Sequence, residues 1–199
     1  MAAGYKKIFW GLFFVTFSLN LGPLQVLPPF VGWLIVLSGL KEVIGALESF
    51  PRAKESFQRA KTFGGILVGL TLLGTLGSLA VGGELTDVPL FTFYPVIVIV
   101  LNILTFFYIL QGTHEVFTSL ELKALEKENE EKTQIYLFIV IASTLLLAVA
   151  LFFHHDMGMI FGALLGIAAV IFLLVHIHRL KKFWEGNPLE SRESQSLQP

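Results

Sequence analysis

The stretch that decides the fold is residues 27–48, which read LPPFVGWLIVLSGLKEVIGALE. A proline pair, Pro28-Pro29, is followed by an apolar run, and Lys41 and Glu42 lie where that run would still be crossing a lipid core. Proline lacks the N–H that a helix interior needs, so the pair predicts a turn and then a new helix. The apolar run predicts that this helix enters a membrane.

The composition of the whole chain favours a membrane protein. Of its 199 residues, 54% are hydrophobic and 15% are charged, and the mean hydropathy is +0.73. Soluble domains typically contain about 45–50% apolar and about 25% charged residues. The formal net charge of −1 gives no basic surface of the kind that binds nucleic acid, so we expect no nucleic-acid partner. The absence of cysteine excludes disulfides, thiolate catalysis and thiolate-bound metals.

Six transmembrane helices are predicted, arranged as three hairpins in an all-α membrane domain over residues 1–186. Stretches of about 20 apolar residues are long enough to cross a bilayer core. The polar segment 187–199 is expected to be a disordered cytoplasmic tail. We place the spans at about 8–27, 30–47, 62–83, 88–113, 133–153 and 157–177.

The distribution of basic residues predicts that both the N- and C-termini are cytoplasmic. The three turns on the other side fall at about 20–29, 84–87 and 154–156, and none of them contains lysine or arginine. Basic residues near span ends resist translocation, so the segments that carry them stay inside. We therefore expect a multi-pass protein of the cytoplasmic (inner) membrane. A re-entrant first hairpin is the alternative, because prolines can break a helix within the membrane.

Two segments indicate that the first two hairpins are copies of one another. Residues 39–48, GLKEVIGALE, align without gaps on residues 112–121, GTHEVFTSLE, and five of the ten positions are identical. Each segment lies at the predicted cytoplasmic end of an even-numbered span. The prediction is a tandem hairpin repeat, and internal repeats are typical of transporters.

A shorter duplication follows the first hairpin. ESFPRAK at 48–54 is followed directly by ESFQRAK at 55–61, which places Phe50 and Phe57 on one helical face. The arginine and lysine of each copy favour a basic helix on the membrane surface, at anionic headgroups. A solvated connector is the alternative.

The few polar residues of the predicted spans are the candidates for function. Asn102 lies near the middle of span four, where a carboxamide either bonds to a neighbouring helix or contacts a substrate. Glu42, His114 and Glu115 could meet at the cytoplasmic end of the bundle and relay protons. Ion pairing with lysines at the helix ends is the alternative. Together with the amide of Gln111, these residues form a candidate polar path, which consists of Glu42, Asn102, Gln111, His114 and Glu115.

Glycine spacing marks candidate helix-packing faces. Small residues four apart let two helix backbones approach closely in lipid, the GxxxG pattern. Span three carries Gly65 and Gly69, and span six carries Gly158, Gly162 and Gly166. We expect these faces to be contact surfaces, either within the bundle or between chains in a homo-oligomer or larger membrane complex.

The sequence contains no catalytic or cofactor signature. The HExxH, GxSxG, Walker and dinucleotide-binding patterns are missing. His154-His155-Asp156 has three metal-capable side chains, but adjacent residues of a turn rarely converge on one ion, so we read it as an exposed polar turn. We therefore predict that the protein binds no cofactor and no metal. We predict that it is a non-enzymatic packing protein or a subunit of a complex. The alternative is a small transporter or channel with a polar path from spans two and four.

The residues around the first turn resemble a group of bacterial proteins. Residues 27–35, LPPFVGWLI, and the two Phe-x-Arg-Ala-Lys connectors at Phe50 and Phe57 are similar to uncharacterised small multi-pass membrane proteins of low-GC Gram-positive bacteria. Those proteins have a Leu-Pro-Asp-Phe-Ile-Gly-Tyr-like turn after a short first span. This chain has Pro29 where their acidic residue often stands and Trp33 where tyrosine is usual. The resemblance implies a bacterial cytoplasmic membrane and says little about activity.

Overall fold

The computed structural model describes residues 1–17, 20–21, 24–25, 28–81, 94–153 and 156–187. This part of the chain is helical apart from a two-residue antiparallel ladder, so the predicted all-α class is confirmed. The elements are α1 (Ala2–Thr16), β1 (Asn20–Leu21), β2 (Leu24–Gln25), α2 (Pro29–Gly45), α3 (Pro51–Val81), α4 (Tyr94–Ser119), α5 (Lys123–Phe152) and α6 (Asp156–Gly186).

Four helices, α3 to α6, are long and apolar enough to cross a membrane. They expose large apolar side chains along their length, and Phe138 and Leu145 of α5 are 75% and 62% exposed. The helices α1 and α2 have 15 and 17 residues. At about 1.5 Å per residue they measure roughly 22 and 26 Å, slightly less than a bilayer core of about 30 Å.

Prolines set where α2 and α4 begin. Pro28 is the extended N-cap of α2 and Pro29 is its first residue. A missing N–H is harmless there, because the first turn of a helix does not use it. Pro95 is the second residue of α4, so it marks the start of the helix and does not kink its interior. Residues 88–93, where we predicted span four to begin, lie outside the described ranges.

The short duplication forms the first turns of α3. Residues 51–61 and the described part of predicted span three belong to one continuous helix. Ala53, Phe57 and Ala60 are buried on one side, and Arg59 is exposed on the other. The prediction of a solvated connector is therefore wrong, because one side of the segment is buried. A headgroup position for the basic residues on the other side stays a prediction. The apolar stripe of the duplication continues the buried face of the span, and this holds the segment against the bundle.

The charged segment 114–132 is divided between two helices. α4 ends at Ser119, and Glu121 has a left-handed backbone conformation with φ of 57°. Across this turn the Leu122 N–H donates to the Phe117 carbonyl at 2.9 Å, the long bond of a Schellman motif. α4 stops at this motif, and α5 begins directly after it.

The contacts between helices follow chain order and close on themselves. Each helix packs against its neighbours in the sequence, and α1 packs against α6. We call the end of the bundle that holds Tyr5, Phe117 and Trp184 the aromatic end. The largest fully buried side chains between the helices are Trp33, Tyr5, Phe57, Phe117, Ile8 and Leu40.

α1 and α2 pack backbone against backbone. Gly4 lies opposite Gly39 and Gly11 opposite Gly32, and a Cβ atom on any of the four would lie 2.6–2.8 Å from the carbonyl oxygen of the opposite glycine. Cβ atoms do not approach other atoms so closely, so this contact requires glycine at all four positions. The glycines are seven residues apart in each helix. The prediction of packing faces from glycines four residues apart therefore does not identify these four.

Candidate functional site

Glu42 lies towards the aromatic end of α2 and forms an ion pair with Lys7 of α1. Lys7 Nζ also donates to Ser38 Oγ at 3.3 Å. Both charged groups are more than one third exposed. Exposed pairs of this kind contribute about 0–1 kcal/mol, and this one fixes the orientation of the two side chains at the helix ends.

Glu115 and Gln111 of α4 lie close together and face α3. Ser56 Oγ donates to Glu115 Oε2 at 2.9 Å, and Gln111 Nε2 donates to Glu115 Oε1 at 3.3 Å. Ser56 is buried and Glu115 is half-buried. Each carboxylate oxygen therefore has a donor within the protein.

His114 belongs to a third polar group, between α4 and the first turn of α5. His114 Nε2 is 3.7 Å from Glu126 Oε1, and Thr118 Oγ1 donates to the same oxygen at 2.8 Å. Among the described residues, His114 Nδ1 is buried without a hydrogen-bond partner. The three groups of Glu42, Glu115 and His114 thus face α1, α3 and α5, respectively.

Asn102 lines a cavity of about 320 Å³ between α1, α4, α5 and α6. Its Nδ2 donates to the Val98 carbonyl one turn earlier, at 2.8 Å. The other polar residues in the described lining are Thr16, Tyr136, Ser143 and Thr144, and none of the described lining residues is charged. Of the predicted polar path, this lining includes Asn102 and neither glutamate.

The two segments of the predicted repeat each contact the preceding helix at equivalent positions. Gly39 is approached closely by α1, and Gly112 by the Phe57 ring of α3, which would lie 2.7 Å from an added Cβ. Glu42 and Glu115 bond to those same preceding helices. The contact is made by the backbone of α1 at Gly39 and by an aromatic ring at Gly112.

Aromatic side chains fill the centre of the bundle at the aromatic end. The hydroxyl groups of Tyr5 and Thr113 are 2.6 Å apart, in a buried hydrogen bond that joins α1 to α4. The Trp184 ring stacks on both Tyr5 and Phe117, at centroid distances of 6.4 and 5.9 Å. These contacts tie α1, α4 and α6 together at one level.

A buried polar contact outside the predicted path joins α4, α5 and α6. Asn129 is 1% exposed. Its Nδ2 donates to the Leu110 carbonyl at 3.0 Å, and its Oδ1 is 2.9 Å from His176 Nε2. Asn129 lies in a run of lysine and glutamate that is typical of a solvated helix. Its spacing from Leu125 and Tyr136, four and seven residues away, is the sequence signal that places it on the buried face.

The glycines of α6 pack against α5. An added Cβ would lie 2.6 Å from Leu147 Cγ at Gly162 and 3.2 Å from Ser143 Oγ at Gly166. Ser143 Oγ also donates to the Gly162 carbonyl at 2.8 Å. Gly158 lies in the first turn of α6. At Gly162 and Gly166 the absence of a side chain therefore permits close contact between α6 and α5 of the same chain.

The glycines of α3 differ from those of α6. An added Cβ on Gly65 or Gly69 would have no neighbouring atom within 4 Å in the described part of the chain. Gly64, the residue before Gly65, is the one that packs inward, because an added Cβ there would lie 3.0 Å from a Leu37 methyl group. Gly65 and Gly69 therefore form an open face of α3.

Metal binding finds no support among the described residues, which contain no group of three or more His, Asp or Glu side chains placed to hold an ion. The histidines of the predicted His154-His155-Asp156 turn lie outside those residues. Asp156 is the first residue of α6.

Comparison with known proteins does not assign a function to the site. No protein-family model, no curated protein and no solved structure matches the chain. The function is therefore inferred from the geometry alone.

Proposed function

We propose that this chain is a non-enzymatic packing subunit of the bacterial cytoplasmic membrane that pairs with a second copy of itself through α3. In this proposal all six helices span the membrane as three hairpins, and both termini are cytoplasmic. The four long apolar helices support membrane insertion. Lys7, Arg59 and Arg179 lie towards the aromatic end, which supports a cytoplasmic position for that end.

A tandem hairpin repeat is part of the proposal. The matched contacts of Gly39 with α1 and Gly112 with α3 support it, as do the matched bonds of Glu42 and Glu115. Two copies of one hairpin would be expected to keep such contacts, because each second helix docks on its own first helix.

The observation that carries the function is the open glycine face of α3. Gly65 and Gly69 leave a shallow groove, with Ile66 and Leu73 exposed beside it at 46% and 62%. Lipid chains are as apolar as leucine, so hydrophobicity alone does not cover such a groove. Close van der Waals packing drives helix association in lipid, and a four-residue glycine spacing is the pattern that permits it.

A second copy is the partner that fits this face. Copies inserted in the same orientation have parallel α3 helices, and a two-fold axis along the membrane normal brings identical patches together. Glycine pairs spaced by four residues associate in this parallel geometry. The flanks at Ile66 and Leu73 are apolar, so the contact needs no charged complement.

A small transporter or channel is less well supported. It requires Glu42, Asn102 and Glu115 on one polar route. Instead, the two glutamates bond to α1 and α3, and Asn102 bonds to its own helix. The described cavity lining includes Asn102 without either glutamate.

Cysteine cross-linking in isolated membranes tests the proposal. The chain contains no cysteine, so Gly69→Cys introduces a single reporter on the proposed contact. Leu73→Cys is a second reporter that leaves both glycines in place. We expect an oxidant to convert either variant into a disulfide-linked dimer.

Leu145→Cys is the matched control, because Leu145 is as exposed as Leu73 but lies on α5. It should remain monomeric under the same conditions. The proposal fails if neither α3 variant forms a dimer, or if the α5 control cross-links equally well.

A further inference from the structure

We infer that the cavity between α1, α4, α5 and α6 binds a neutral, mostly apolar molecule that carries a hydroxyl or carbonyl oxygen. The cavity measures about 320 Å³. At about 30 Å³ per molecule in the liquid, this is the space of roughly ten waters. The cavity is partly open to the surface of the bundle, and ligand pockets start at about 300 Å³. The inference does not rest on the proposed pairing of two copies.

The walls of the cavity define the apolar part of the ligand. Leu12, Ile103, Phe106 and Leu173 contribute hydrocarbon from three of the four helices. No described lining residue is charged. A charged ligand would therefore be desolvated without a partner, and this strongly disfavours acids and amines.

Three of the polar side chains in the lining are already satisfied within the protein. Thr16 and Thr144 donate to the carbonyl group four residues earlier, at 2.9 and 2.8 Å. Ser143 donates to the Gly162 carbonyl at 2.8 Å. Such hydroxyl groups bond to helix backbone and have no proton left for a ligand.

Tyr136 and Asn102 are the polar groups that remain. Tyr136 is 4% exposed and lines the cavity, and its hydroxyl has no hydrogen-bond partner among the described residues. The hydroxyl group of a tyrosine in a largely apolar pocket is free to bond to a polar atom of a ligand. Asn102 uses Nδ2 for the Val98 carbonyl, so its carboxamide oxygen is available as an acceptor. A ligand hydroxyl can accept from Tyr136 and donate to Asn102, and a ligand carbonyl can accept from Tyr136.

The position of the cavity indicates that the ligand enters from the bilayer. Towards the aromatic end, the centre of the bundle is filled by the buried rings of Tyr5, Phe117 and Trp184. Asn102 and Tyr136 lie well inside two of the long apolar helices. The expected ligand is therefore an alcohol or ketone of roughly ten non-hydrogen atoms that partitions into the bilayer.

Photolabelling of the full-length protein in phosphatidylcholine nanodiscs tests this inference. The probe is a ten-carbon primary alcohol with a diazirine in its chain, and a diazirine alkane of equal length is the comparison. We expect the alcohol to label peptides of α4, α5 or α6 that line the cavity, and unlabelled 1-decanol to compete. We expect the alkane to label these peptides less.

Tyr136→Phe keeps the ring and removes the hydroxyl group. It should weaken the competition by 1-decanol about two- to tenfold, the effect of one lost hydrogen bond, without changing alkane labelling. Tyr108→Phe is the control, because it removes a tyrosine hydroxyl that is not in the cavity lining. Val170→Phe, which fills the cavity, should abolish labelling by both probes.

Three results would overturn the inference. One is labelling of lipid-facing positions of α5 alone, such as Phe138. A second is equal competition in the native chain and in Tyr136→Phe. The third is displacement of the probe by added phosphatidylcholine but not by 1-decanol, since a lipid tail and not a hydroxyl-bearing ligand would then occupy the cavity.

Discussion

Glu42 and Glu115 occupy equivalent positions on α2 and α4, and each bonds to the helix that precedes its own in the chain. Glu42 pairs with Lys7 of α1, and Glu115 accepts from Ser56 of α3. The two carboxylates differ in burial, because Glu42 is exposed and Glu115 is half-buried. The same position therefore stabilises the two helix pairs to different extents.

We expect Glu115→Ala to destabilise the protein more than Glu42→Ala. Removing Glu115 leaves the buried Ser56 hydroxyl without its acceptor, which costs about 1–3 kcal/mol. Removing the exposed Glu42 should cost less than about 1 kcal/mol. Thermal unfolding in mild detergent, followed by tryptophan fluorescence, measures both. Equal losses, or a larger loss for Glu42→Ala, would contradict the contacts described here.

The glycine contact between α1 and α2 gives a second prediction. In Gly39→Ala the new methyl group would lie 2.6 Å from the Gly4 carbonyl oxygen, so the helices must separate. Overpacking of this kind costs about 1–3 kcal/mol. Gly45→Ala is the control, because an added Cβ there meets no atom of the described residues within 4 Å. It should be neutral or stabilise the helix by up to about 1 kcal/mol. A Gly39→Ala protein that unfolds at the same temperature as Gly45→Ala would rule out the close contact.

Asn129→Ala tests the buried contact between α4, α5 and α6. It removes the donor to the Leu110 carbonyl and the partner of His176 Nε2. Each buried group left unpaired costs about 1–3 kcal/mol, so we expect one of the larger losses among single substitutions. Glu131→Ala, two residues away and exposed, should stay within about 0.5 kcal/mol of the native protein. If the two variants have the same stability in thermal unfolding, Asn129 does not hold the three helices together.

The six-span topology predicts which side of the membrane each turn faces. Glu84→Cys, in a turn outside the described residues, should react with an impermeant maleimide added to intact cells. Glu185→Cys, near the end of α6, should react only after the membrane is opened. Labelling of both positions from outside would mean an even number of spans between them, where the topology has three, and would refute it.

Sequence patterns predict the number and kind of helices well here, because apolar runs and prolines are local signals. They predict helix ends less well. Hydropathy falls where α5 and α6 leave the apolar layer, but both helices continue to the aromatic end, where Asn129 and Trp184 are buried. Apolarity marks the part of a helix that lipid can cover, and helices end where their capping bonds form, as at Glu121.

The candidate site was harder to predict, because helix faces are chosen by partners elsewhere in the chain. A polar residue in a span signals a need for a partner but not which partner, so Glu42, Asn102 and Glu115 looked like one path. Tyr136 reads as an ordinary aromatic residue of a span. Its unpartnered hydroxyl group becomes evident only when the neighbouring helices are in place.

The mass of the protein in lipid tests the central claim most directly. One chain has a mass of 22.1 kDa, and native mass spectrometry from nanodiscs separates one copy from two. We expect the native chain to be released as a pair and Gly69→Leu, whose side chain fills the groove on α3, as a single copy. A native chain that is released only as a single copy, or a Gly69→Leu variant that remains paired, would contradict pairing through α3.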